Sequence, residues 1–206
     1  MTQMGLAHGG EGGGANVADM KIYTRKGDDG TTGLLYGGRV RKDSARPTAY
    51  GTVDEAQAAL GVARAQCVRG GELDEVLVAL ERDLWVLMAE MATAPGNRHK
   101  LTGGTNLVTA DMVVALEGQI DAFTDRYEQP TEFVVPGQDP VAAQLDVART
   151  VVRRAERDAL AVDDEDHGDE PSQVTPYLNR LSDLVWTLAR WQEANAGEGS
   201  LRSRGD

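Results

Sequence analysis

Five stretches of this chain repeat apolar residues at intervals of three and four, and that spacing limits the fold more than any other feature. The most regular is ELDEVLVALERDLWVLMAEMAT, where Leu73, Val76, Leu77, Leu80, Leu84, Leu87, Met88 and Met91 fall on one stripe of a helix. A second stripe runs through Tyr50, Val53, Ala56, Ala59, Leu60 and Ala63, in a stretch opening near Pro47, a residue suited to a first helical turn. Gly70 and Gly71 end it. A third helix is expected from near Thr109, with Val113, Leu116 and Ile120 inward, a fourth from about Val141 to Val162, and a fifth from about Thr175 to Ala194. Strand patterns are almost absent, so the expectation is an all-α bundle.

At 206 residues the chain fits one domain. Residues 1–19 are glycine-rich and read as a disordered extension, 20–195 as the folded domain, and 196–206 as a frayed, flexible tail. The first residues lack the basic start and apolar run of a signal peptide, and no run of about 18 apolar residues exists, so no membrane span is expected and the cytoplasm is the expected location. Cys67 is the single cysteine, which excludes a disulfide framework or a cysteine zinc site within one chain.

The net charge of −12 argues against non-specific nucleic-acid binding, because phosphates are repelled from most of such a surface. Any anion site must be a local cluster of cations. One candidate is KIYTRKGDDGTTGLLYGG and the residues after it. Its glycines let backbone N–H groups approach a ligand, its threonines add hydroxyls, and Arg25, Lys26, Arg39, Arg41 and Lys42 add positive charge. Asp28 and Asp29 could orient those cations or hold Mg²⁺ through water. A plain glycine-rich connector has the same composition, so the stretch alone does not decide.

The fourth helix supplies a second candidate. With Arg149 at zero on a wheel of about 100° per residue, Arg153 lies near 40° and Glu156 near −20°. Val151, Val152, Ala155 and Ala159 form the buried stripe beside them. A solvated charge ladder fits this pattern, and so does an arginine fork for phosphate or carboxylate. On the fifth helix Asn179, Asp183, Trp186 and Arg190 share one face, while Tyr177, Leu181, Leu184 and Leu188 form the apolar face. Asn179 in mid-helix costs helix propensity, although a satisfied interface asparagine explains it too. Neither GxxxxGK[ST] nor a GxGxxG after a strand is present.

Three segments in order decide between these readings. YTRKGDDGTTGLLYGGRVRKDSARPTAYGTVDE resembles the N-terminal signature of the propanediol-utilisation type of ATP:corrinoid adenosyltransferases. ARTVVRRAER and YLNRLSDLVWTLAR resemble that family's two C-terminal signatures, so the likeness covers roughly Lys21 to Arg190. The resemblance implies a five-helix bundle, ferritin-like and up-and-down, assembled as a homotrimer with ATP bound between subunits. It implies transfer of the 5′-deoxyadenosyl group of ATP to the cobalt of cob(I)alamin, with release of triphosphate. Thr24, Arg25, Gly27, Asp28, Gly30, Thr31, Thr32 and Lys42 then match positions around the triphosphate, and Arg153, Glu156 and Asn179 match positions that contact ATP. Asp54 matches an acid that pairs across the interface with the arginine matching Arg149. Phe133 matches an aromatic residue under the corrin, where an apolar wall displaces the lower axial ligand and eases reduction to Co(I). Arg154 and Asp183 stand at further motif positions, Asp183 on the corrinoid side. Mg²⁺ is implied through the ATP phosphates, with a flavoprotein reductase and an adenosylcobalamin-dependent mutase as partners.

The chain departs from the family pattern at Asp146, where histidine is common, at PGQDP after Phe133, at DEAQAALG, and at Trp186. Competing readings on the same fold are a chaperone that delivers adenosylcobalamin and a non-catalytic ATP-binding trimer. A di-metal bundle enzyme is disfavoured, because no Glu-x-x-His pair is present.

Overall fold

The computed structural model describes Tyr23, residues 25–165 and residues 171–204; side chains at 164 and 165 are not described. Thr24, the expected N-terminal extension and part of the acidic stretch after Asp163 lie outside the described residues. Five long helices carry the fold: α1 (Ala45–Arg64), α2 (Glu72–Met91), α3 (Ala110–Thr124), α4 (Pro140–Glu165) and α5 (Val174–Asn195). Before them β1 (Thr31–Gly33) and β2 (Arg39–Arg41) pair antiparallel, Thr31 opposite Arg41. A 3₁₀ helix, Pro95–Lys100, follows α2.

Local signals set the helix ends. The Thr109 hydroxyl accepts from the Met112 N–H, and the Asp139 carboxylate accepts from the Ala142 N–H at 2.9 Å, with Pro140 leading into α4. α2 carries Glu72, Asp74 and Glu75 in its first turn, where the helix dipole favours them. α1 ends at Arg64, earlier than the two glycines. Gly70, at φ 73°, instead donates its N–H to Asp74, which also holds Arg64, so this carboxylate closes the turn between α1 and α2.

α1 packs on α2 and α4, α4 on α5, and α5 on α3. The stripes meet as the sequence expects: Leu60, Leu77, Leu84, Val152, Ala155, Leu181 and Leu188 are all buried. Thr52 on α1 donates to Asp158 on α4 at 2.7 Å, and Asn179 on α5 to Glu156 on α4 at 2.9 Å. These pairs bring the start of α1, the end of α4 and the start of α5 to one end of the bundle, where the β hairpin sits. At the opposite end Phe123 meets Trp191 edge-on at 5.0 Å, and Arg126 lies over both rings while pairing with Glu72. Among the described residues no helix is long and apolar enough to cross a membrane.

Two stretches differ from expectation. The polar loop after Lys21 contains a short hairpin, because a connection through Gly37 and Gly38, both at positive φ, lets Arg39–Arg41 fold back on Thr31–Gly33. The stretch expected to fray from residue 196 makes specific bonds. Ser200 donates to Glu193 at 2.6 Å, Val135 N–H to the Leu201 carbonyl and Ser203 N–H to the Phe133 carbonyl, each at 2.8 Å.

Candidate functional site

The loop ahead of the hairpin turns tightly, with Gly30 N–H donating to the Gly27 carbonyl and Lys42 N–H to the Gly30 carbonyl. A Cβ at Gly27 would lie 3.1 Å from the Lys42 ammonium nitrogen and 3.1 Å from the Thr31 carbonyl, so a side chain here would push the lysine back by a few tenths of an ångström. Arg39 braces the loop: its Nη2 donates to the Lys26 carbonyl and to the Thr31 hydroxyl, both at 2.5 Å. The Thr31 hydroxyl and N–H donate to Asp29, which holds that carboxyl below the ordinary range. Burial raises the pKa of the Tyr50 hydroxyl, with the nearby Thr32 side chain offsetting part of the rise. Arg41 is spent on Asp43 in a two-pronged ion pair. Arg25, Asp28 and Lys42 are exposed, Arg25 at φ 60°. The loop thus presents Arg25 and Lys42 to solvent, held by a frame of Arg39, Thr31 and Asp29.

Leu35 N–H donates to the Ala92 carbonyl, which ties the hairpin connection to the end of α2, and the buried Arg46 at the start of α1 donates to the Met91 and Thr93 carbonyls beside it. Asn97 and Asn106 hold the Tyr36 carbonyl and hydroxyl. Glu90, 1% exposed, anchors the neighbouring links. Sequence reasoning missed Tyr36, Asn97, Asn106, Ser172 and Glu90. Only Glu90 had a signal: a carboxylate three residues after Leu87, inside an apolar stripe.

On α4 and α5 the arrangement is mixed. Arg153 is exposed and, among the described residues, its side chain makes no ion pair. Glu156 and Asn179 bond to each other, and Asn179 also accepts from Arg180, which pairs with Glu117 and faces Asp183 at 3.8 Å. Arg154 pairs with Glu55 on α1. Asp54 and Arg149 are not brought together within the chain. Asp54 lines a groove between α1 and α2 with Gln57, Glu81 and Trp85, while Arg149 turns to Asp146 on the α4–α5 side.

Phe133 is 89% exposed, at the mouth of a cavity of about 630 Å³ lined by Arg149, Trp186, Arg190, Ser203 and Arg204 among others. Arg190, expected on the polar face of α5, is instead fully buried. Its Nη2 donates to Asp146 at 2.6 Å and Glu193 at 3.1 Å, so two carboxylates neutralise it beneath the cavity. Asp146 therefore serves as a counter-ion, 2.6 Å from Arg190 and 3.6 Å from Arg149.

Comparison with known proteins gives the family and the fold. The cobalamin adenosyltransferase family matches residues 22–192. The chain is 42% identical over 172 residues to a corrinoid adenosyltransferase of Mycobacterium tuberculosis, covering 82% of this chain and 87% of that one. It is 41% identical over 176 residues to a corrinoid adenosyltransferase of Citrobacter freundii, covering 84% and 95%. A variant of the PduO-type ATP:corrinoid adenosyltransferase from Lactobacillus reuteri, solved in complex with cobalamin and ATP, superposes with a TM-score of 0.80 at 28% identity over 90% of this chain and 100% of that one. With the hairpin, the α4 stripe and the α5 stripe all inside the matched span, the chain belongs to the cobalamin adenosyltransferase family.

Proposed function

We propose that this chain transfers the 5′-deoxyadenosyl group of ATP to the cobalt of cob(I)alamin, giving adenosylcobalamin and triphosphate. The observation that carries the reading is the cationic loop of residues 25–42, with Lys42 drawn over Gly27, in a chain of net charge −12. Such a loop concentrates positive charge where the rest of the surface repels phosphate.

In the reaction the cobalt(I) lone pair attacks C5′, a Co–C bond forms, the C5′–O bond breaks, and its electron pair leaves with triphosphate. The nucleophile needs no general base, so the chain's residues have to align the reactants and stabilise the leaving group. Lys42 and Arg25 face the triphosphate across the tight turn of Gly27 and Gly30, and Thr31 and Thr32 shape that loop. Arg153 adds a fork, and the Glu156–Asn179 pair offers both a carboxylate and an amide to the nucleoside. Phe133 supplies an apolar platform at the cavity mouth, with Asp183 on the same side of α5. Among the described residues no three carboxylate, histidine or cysteine side chains cluster as a metal ligand set. Mg²⁺ fits this chain as a companion of the phosphates, sharing their charge, with Asp28 as an exposed carboxylate of the same loop, since Asp29 is held by Thr31 and Arg39.

Asp54 and Arg149 lie on different flanks of one chain, an acid in the α1–α2 groove and a base on the α4–α5 side. In a homotrimer each meets its counterpart on a neighbour, and the nucleotide site is completed between subunits. A flavoprotein reductase supplies the cob(I)alamin electron, and an adenosylcobalamin-dependent mutase takes the product. The direct test is purified protein with ATP, Mg²⁺ and chemically reduced cobalamin, following the cobalamin spectrum and triphosphate release. Formation of both products is expected; unchanged spectra would sink the enzyme reading.

A further inference from the structure

Glu90 lies in the last turn of α2, where the helix dipole disfavours a negative charge, and it is 1% exposed. A buried carboxylate there needs partners for both oxygens. Oε1 accepts from Arg98 Nη2 at 2.8 Å and from the Ser172 hydroxyl at 2.7 Å, and Oε2 accepts from the Val108 N–H at 2.7 Å. The three donors sit on three separate links of the chain: the 3₁₀ helix after α2, the loop leading to α3, and the entry to α5.

Each link leads on to an element of the candidate site. Beside Arg98, Asn97 donates to the Tyr36 carbonyl. Shortly before Val108, Asn106 donates to the Tyr36 hydroxyl at 2.7 Å. Tyr36 is at the tip of the hairpin whose strands frame Gly27 and Lys42. Ser172, with its proton committed to Glu90, accepts from the Val174 N–H at 3.1 Å and so caps the first residue of α5. Asn179, which holds Glu156, stands on the second turn of that helix. One buried carboxylate therefore joins the hairpin to the start of α5.

We infer that Glu90 is a positioning residue for ATP: it sets the spacing between the triphosphate loop and the Asn179–Glu156 pair without touching the nucleotide. The inference rests on the proposed function, which assigns both elements to one ATP.

The test compares wild type and Glu90→Gln by calorimetric titration with Mg-ATP, by KM for each substrate, and by thermal unfolding. Glutamine keeps the size but places an amide N–H against a donor, so one link is released. ATP Kd and KM are expected to rise about tenfold, the loss of one charge-assisted bond, with KM for cobalamin unchanged. Ser172→Ala and Asn106→Ala release the two arms separately, and their combined effect on ATP Kd is expected to fall short of the sum, since either release already frees the spacing. A lower melting temperature with unchanged ATP Kd would make Glu90 a structural brace and overturn the inference. Additive effects of Ser172→Ala and Asn106→Ala would overturn it as well, and this pair decides the matter if Glu90→Gln does not fold. Wild type that fails to bind ATP removes the site reading and this inference with it. Wild type that binds normally beside unaltered variants removes this inference alone.

Discussion

At the hairpin end, Arg39, Thr31 and Asp29 hold one another in the open, whereas at the other end Arg190, Asp146 and Glu193 do so under nearly complete burial. The chemistry of the pairs is similar, but the surroundings differ. Exposed ion pairs contribute about 0–1 kcal/mol each, so the loop frame can rearrange around a phosphate at small cost. A buried arginine with two carboxylates is a fixed floor, because loosening any member leaves an unpaired charge out of water. Above that floor Phe133 stands almost free, at 89% exposure, and the segment Leu201–Ser203 pairs with its backbone rather than its ring. A small, highly charged ligand is thus offered an adaptable cradle, and a large flat one a rigid base beside an exposed aromatic ring.

The contrast is broken most directly at the floor. Arg190→Met should cost about 3–5 kcal/mol of unfolding free energy, since it strands Asp146 and Glu193. Denaturant unfolding measures this, and a loss below about 1 kcal/mol would mean that the buried trio does not hold that end together. Arg39→Met at the hairpin is the paired measurement. Its effect on stability should be small.

Lys42→Ala and Arg153→Ala address the adaptable end. Each removes a charged donor, and hydrogen bonds to charged groups are worth about 1.5–3 kcal/mol, so ATP Kd should rise about 10- to 100-fold. Titration with ATP checks this, together with an unchanged melting temperature. An unaltered Kd for Arg153→Ala would take that residue out of the ATP site.

Phe133→Ala sharpens the division between the ends. Turnover with cobalamin should fall about tenfold, while ATP Kd stays at the wild-type value. Equal loss of both would mean that the ring acts on the whole site rather than on the corrinoid.

Periodicity made the helices legible, since stripes such as Leu73 to Met91 need only their own spacing to be read. The hairpin was half visible: the stretch reads as a glycine-rich polar loop with a short extended piece at either end, but three-residue strands have too little alternation to reveal their pairing. Arg190 was misplaced because a helical wheel reports shared direction and not depth, and its partners Asp146 and Glu193 are set by tertiary contact. Asp54 in the α1–α2 groove and Arg149 on the α4–α5 side face different flanks of the chain, so a pairing of the two between subunits would leave no trace in one chain. Glu90 was visible only as a charge on an apolar stripe. Its partners, 8 to 82 positions away along the chain, depend on the folded links.

The smallest effect is expected midway between the two ends, at Asp83. This half-buried carboxylate on α2 accepts from the Tyr177 hydroxyl at 2.9 Å, and burial raises its pKa, with the tyrosine bond offsetting part of the rise. A folded-state pKa above the unfolded one means that the native protein binds the proton more tightly. Stability from this group is therefore present below the unfolded value of about 3.9 and declines as pH rises through the folded pKa. Asp83→Asn keeps an acceptor for Tyr177 and removes the titration. Melting temperatures across about pH 4 to 7 should show a shallower decline in the variant than in wild type, with the variant equal or slightly higher near neutrality. A variant that loses stability by the same amount at every pH would place the importance of this pair in the geometry of its hydrogen bond, and would make mid-bundle polar contacts resemble the buried floor more than the open frame of the hairpin.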